Sequence, residues 1–199
     1  MKRSRIDIGR MRKEQGKASL GTLIKYGAVV AGGAFVLKGC SSDEARIYAN
    51  LNECEDDNPT EQAQCNIAYQ DALREWRNEA PRYPRLSDCE YDFGDGSCRP
   101  LSQHFIPIMT GFMLLNNGSD TELDLDFDRP RGLTSSKRRY SPAYNRWSTA
   151  DGALLGNTYQ RKADISKSQL QPTKGSARVM GRGGFGRTVS SRSSSSWGG

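Results

Sequence analysis

Four stretches of the chain carry a readable pattern of apolar and polar positions. The first is an apolar run over residues 26–37, twelve residues between Lys25 and Lys38. It falls well short of the roughly 20 residues that cross a bilayer as a helix, and Gly27, Gly32 and Gly33 weaken it further. The second has a helical period. Cys65, Ala68, Tyr69, Ala72, Leu73 and Trp76 recur at steps of three and four, opposite Gln64, Asp71, Arg74, Glu75 and Asn78. Asn58 as N-cap, Pro59 in the first turn and Glu61 reaching back predict where this helix starts, and Pro81 predicts where it stops. The third stretch, residues 104–115, is apolar but broken by Pro107 and Gly111, which favours a core strand or packed loop over a membrane-surface or partner-binding segment. The fourth, residues 121–128, alternates strictly. Leu123, Leu125 and Phe127 fall on one face, and Glu122, Asp124, Asp126 and Asp128 on the other. Joined through the turn residues 116–120, the last two stretches predict a β-hairpin with a solvated acidic face. An EF-hand is excluded there, because the loop lacks its central Gly and distal Glu.

Cysteine spacing adds a constraint that periodicity alone does not supply. Tyr48, Leu51, Glu53, Cys54 and Glu55 recur with identical offsets as Tyr83, Leu86, Asp88, Cys89 and Glu90. Asn52 and Ser87 then read as N-caps of two short helical turns, each followed by turn residues and a second cysteine, Cys65 or Cys98. An even set of four cysteines reads as a disulfide framework, because a zinc site needs closer Cys pairs than these. A repeated unit that closes on itself favours Cys54 with Cys65 and Cys89 with Cys98; linking the outer pair and the inner pair is the alternative. On this reading, reduction melts the region 43–100.

The net charge of +6 suggests a polyanion partner until the chain is divided. Residues 1–39 hold nine basic and two acidic side chains, residues 40–100 six and fourteen, and residues 101–199 fourteen and seven. The blocks carry +7, −8 and +7, and beyond the first block 20 bases face 21 acids, so no global charge argument for nucleic acid survives. Basic residues, an apolar run, then a small residue and Cys form the secretory plan. Leu37, Lys38, Gly39 and Cys40 resemble the lipobox of bacterial lipoproteins, which implies cleavage before Cys40 and attachment of lipid to its thiol; Lys38 departs from the family pattern. The odd cysteine count points the same way, since a fifth thiol would otherwise be left over in an exported protein. Ser41 and Ser42, by the same resemblance, direct the product to the outer membrane.

Beyond residue 129, Gly, Ser, Pro, Arg and Lys dominate, and residues 175–199 contain no acid, a composition expected to be disordered. Within it, residues 182–186 resemble a single RGG element, and Arg182, Phe185 and Arg187 are candidate contacts for a partner or an anionic surface such as lipid headgroups, acidic polysaccharide or cell wall. The chemistry of catalysis is thin. His104 is the one histidine, beside Phe105 and Ile106, and no nucleophile elbow, Walker loop or dinucleotide fingerprint is present. No metal or cofactor is expected.

Together, the cysteine frame, Ala68-Tyr69, Ala80-Pro81, Phe93-Gly94, the Pro107, Met109, Gly111 and Met113 series, residues 141–144 and residues 182–186 resemble the YgiB-type family of proteobacterial envelope proteins, classed as domain of unknown function 1190. The likeness covers most of the chain. It implies export and no catalytic residues. The expectation is therefore a small α+β protein: leader 1–39, a disulfide-stapled domain 40–100 with one main helix, a hairpin segment 101–128 and a disordered basic tail 129–199. The function it supports is a noncatalytic envelope lipoprotein serving as a structural or interaction module. The alternatives are a periplasmic protein held by an uncleaved inner-membrane anchor, and a cytosolic nucleic-acid binder with free thiols.

Overall fold

Alternation over residues 42–48 places Ala45 and Ile47 on one side of an extended segment and Tyr48 on the other, and all three are buried. That segment becomes an interior strand of the main sheet. A computed structural model describes residues 42–117, 125–166 and 177–195. It shows β1 (Ser42–Tyr48), α1 (Leu51–Asp57), α2 (Gln62–Glu79), α3 (Leu86–Phe93), β2 (Cys98–Leu101), β3 (His104–Pro107) and β4 (Gly111–Asn116), then β5 (Leu125–Thr134), β6 (Arg146–Thr149), β7 (Leu154–Asn157), β8 (Lys162–Ser166) and α4 (Gly184–Ser195). Six strands form one antiparallel sheet in the order β7-β6-β5-β4-β1-β8, which curls until β7 and β8 approach each other. Its inner side buries Ala45, Ile47, Met113, Leu115, Leu133, Trp147, Leu155 and Ile165.

The outer face of β1 and β4 is covered by α1 and α2, with Tyr48, Phe112 and Leu114 packed on Cys54, Cys65, Ala68 and Ala72. Gly132 lets α2 approach β5 closely: a Cβ there would lie 2.9 Å from Trp76 Cβ and 3.1 Å from the Ala72 carbonyl. Beside that contact, Arg131 Nε donates to Glu75 Oε1 at 2.8 Å and the Gly132 amide donates to Oε2 at 3.0 Å. Pro130 sits in the part of β5 before Leu133 and Thr134, the two residues that pair with β6, where a missing N–H costs little. The two-stranded sheet β2–β3 packs beneath α3, which Cys89–Cys98 ties to β2. The other disulfide, Cys54–Cys65, joins α1 to α2.

The expected α+β protein built around one main helix is therefore corrected: the fold is mostly β, and α2 is one layer on a curled sheet. The basic segment is corrected too. Its described residues supply six of the ten residues of β5, all of β6, β7 and β8, and α4. Composition misleads here because few but large residues do the burying: Trp147, Leu155, Ile165, Phe185 and Val189 are each at most 5 % exposed. The buried Ser and Thr among them are hydrogen-bonded, as in Thr134 Oγ1 to the Ile108 carbonyl (2.9 Å) and Ser136 Oγ to the Asp92 carbonyl (2.7 Å). β4 and β5 do pair antiparallel, with Asn116 opposite Leu125. However, Asp126 is not solvated: it is buried, accepting from the Asp128 amide and from Arg129 Nε. Leu123, Glu122 and Asp124 lie outside the described residues.

Local helix signals were also displaced. Asn50, not Asn52, caps α1, its Oδ1 accepting from the Glu53 amide at 3.0 Å, and Arg85 precedes α3. Asn58 closes α1 and does not open α2; its side chain donates to the Cys54 carbonyl (2.9 Å) and to Tyr48 Oη (3.1 Å).

Candidate binding cleft

α3 ends with Asp92 and Phe93 buried, a polar group and a ring that each need partners from elsewhere. The partners arrive from the far end of the chain. Asp92 is 4 % exposed, and its Oδ2 accepts from Tyr83 Oη (2.7 Å) and the Phe185 amide (3.1 Å), while Oδ1 accepts from the Gly183 amide (2.8 Å). One carboxylate thus satisfies two orphan amides at the start of α4 and a buried phenol. Burial, and then the neighbouring Asp92 charge, push Tyr83 above the ordinary phenol range. Phe185 is fully buried, its ring 4.7 Å from that of Phe93, and Tyr83 also meets Phe93 edge-on. Gly183 has φ +74°, a conformation that suits glycine in the turn entering α4.

The docked helix leaves a cleft of about 360 Å³ against α3 and the loop of residues 140–142. Tyr91 and Tyr140 form its aromatic wall, ring centroids 5.4 Å apart at 44°. They are 38 % and 61 % exposed, large apolar surfaces turned to solvent. Tyr140 Oη donates to the Tyr91 carbonyl at 3.1 Å, which fixes the pair. Arg182 lies 5.0 Å from the Tyr91 ring centroid and 3.4 Å from Asp88 Oδ1. Gly183 in the turn before α4, and Gly186 and Ser190 on it, give a small-residue edge, and Arg187 lines the cleft beside them.

The candidate contact residues thus part company. Phe185 is a core residue, Arg182 is committed to α3, and Arg187 faces the cleft. His104 is half-buried on β3. Cys40 lies outside the described residues. No group of three or more His, Cys, Asp or Glu suited to a metal occurs among the described residues. Tyr91, Tyr140 and Asp92 carry no signal in the sequence; the lone Phe185 between glycines, the second residue of α4, was the available one, and the low-complexity composition around it suggested a surface contact where it is core.

A family model described as a protein of unknown function (DUF1190) matches residues 42–197, from the first residue of β1 through α4. The chain belongs to the DUF1190 family. Among similar curated proteins, a UPF0441 protein of Klebsiella pneumoniae subsp. pneumoniae is 29% identical over 189 residues, covering 83% of this chain and 81% of the relative. A UPF0441 protein of Klebsiella pneumoniae strain 342 matches to the same extent. No solved structure matches. The DUF1190 match spans both disulfides, the Asp92 contact and the cleft, so these features fall within the family's own unit. Among the described residues, no helix is long and apolar enough to cross a membrane.

Proposed function

We propose that this DUF1190 protein is a noncatalytic lipoprotein of the bacterial cell envelope, anchored through Cys40 and presenting its folded unit as an interaction module. One observation carries the reading: of five cysteines, four are consumed in two disulfides, leaving Cys40 directly behind the apolar run. Disulfides persist in oxidising compartments such as the periplasm. Further support comes from position, since the family match begins at residue 42, two residues beyond the cysteine. A thiol is also the nucleophile that diacylglyceryl transfer requires, and several acyl chains hold far more firmly than one. Ser41 and Ser42 favour the outer membrane. Lys38 at the position before Gly39 favours the second reading, an uncleaved inner-membrane anchor.

Fractionation with lipid labelling of wild type and Cys40→Ala separates them. Loss of label and of membrane attachment in Cys40→Ala is the expected result. Retained attachment, with an intact mass that includes the leader, transfers the protein to the anchor reading.

A further inference from the structure

We infer that the cleft between α3 and α4 binds a carboxylated sugar within a glycan chain. The inference deepens the interaction-module reading by naming the class of ligand. Its basis is the division of labour around the cleft. Tyr140, 61 % exposed, offers the open ring of a pair inclined at 44°, while Arg182 covers the Tyr91 ring. One open aromatic face suits a puckered ring, whose axial C–H bonds meet it, whereas a flat base is held best between two parallel faces.

The polar groups beside the rings come in complementary kinds. Ser141 Oγ accepts from the Ala143 amide (3.3 Å) and keeps its proton to donate; Ser190 Oγ donates to the Gly186 carbonyl (2.9 Å) and keeps lone pairs to accept. Sugar hydroxyls need both. Charge selects further. Arg182 and Arg192 are held by Asp88 and Asp151, whereas none of the ion pairs among the described residues involves Arg187. A single guanidinium matches a monovalent carboxylate. A phosphate dianion fits less well: the amides of Gly183 and Phe185, which would otherwise cradle it, already serve the Asp92 carboxylate, and that carboxylate also lines the cleft. Cell-wall glycan, whose muramic acid carries a lactyl carboxylate, is the source that the envelope reading supplies.

The test uses the full chain purified in detergent micelles and calorimetric titration with two soluble probes. One is the N-acetylglucosamine–N-acetylmuramic acid disaccharide; the other is N,N′-diacetylchitobiose, which lacks the carboxylate. The acidic disaccharide is expected to bind about tenfold more tightly, the effect of one charge-assisted hydrogen bond. Arg187→Gln removes that preference and leaves the weaker common affinity, while Tyr140→Ala weakens both. Gly186→Leu provides the control on folding. A Cβ there meets nothing nearer than Pro142 Cδ at 3.4 Å, and replacing a helical glycine favours the helix, so both sugars are lost while the melting temperature holds or rises. Equal binding of the two sugars, no binding at millimolar concentration, binding that survives Gly186→Leu, or competition by inorganic phosphate at equal concentration each overturns the assignment. Failure here leaves lipidation at Cys40 standing, and loss of the Cys40 result leaves sugar binding in the test tube unaffected.

Discussion

Glu75 sits on the helix face that periodicity marks as polar, yet it is the residue by which α2 holds β5. Both of its oxygens are engaged, by Arg131 Nε and by the Gly132 amide. Burial raises its pKa above the ordinary glutamate range despite the opposing Arg131 charge. The folded state therefore holds the Glu75 proton more firmly than the unfolded chain. The pH-dependent part of its contribution is complete below the ordinary glutamate pKa and declines as pH rises through the raised folded value, while the Arg131 ion pair and the Gly132 hydrogen bond persist above it. Urea unfolding across that window should show a stability loss with rising pH that is absent in Glu75→Gln; an identical slope in the variant would assign the dependence to other groups. Glu75→Ala should cost about 3 kcal/mol at neutral pH, as expected on breaking a largely buried charged pair. Helical spacing of Ala68, Ala72 and Trp76 was legible because each neighbour lies one turn away. The partner of Glu75 lies 56 residues on, and no local pattern encodes it. Asp126 differs for a local reason: strict alternation assigns a face, but the Asp128 amide and the Arg129 guanidinium, two and three residues on, decide whether a carboxylate on it stays wet.

At the scale of elements, α4 depends on one side chain of α3. Asp92→Ala removes the acceptor for two amides at the start of α4 and strands the buried Tyr83 hydroxyl, with an expected cost of about 3 kcal/mol. Hydrogen exchange should show the α4 amides losing protection first, while β1 and β4 remain slow; unchanged protection in α4 would mean that Phe185 and Val189 hold the helix unaided. The sequence marks this element poorly. Gly, Ser and Arg dominate residues 181–195, and mean composition weighs Phe185 as one residue in fifteen. Burial weighs it by area, and its whole ring is covered. Capping signals were misplaced by a smaller ambiguity. Asn50, Asn52 and Asn58 are all good caps chemically, and the choice among them is made by where β1 ends and where the Cys54–Cys65 bridge pulls the chain.

For the whole molecule, reduction is the informative perturbation. The disulfides close loops of sequence separation 11 and 9, each contributing about 3 kcal/mol in the loop-entropy description. The cysteines of the first pack directly on Tyr48, Phe112 and Leu114 of the large sheet. Reduction should therefore lower a single shared unfolding transition, and not melt residues 43–100 alone. Tryptophan fluorescence and far-ultraviolet circular dichroism followed together in urea should shift in step, since Trp76 and Trp147 occupy different clusters; separated transitions would restore an independent disulfide domain.

The place of β1 has a kinetic consequence. It is the first strand of the sheet, yet its two neighbours are β4 and β8, so its ladder joins Ala45 to Leu115 on one side and to Ala163 on the other. Such pairings give the chain a high contact order, for which loop closure must precede any compensating contact. A chain emerging in sequence order meets the β4 partner of β1 only after about residue 116 and its β8 partner only after about residue 166. Closing the sheet on the far side of β1 is thus the last pairing that synthesis in sequence order makes available.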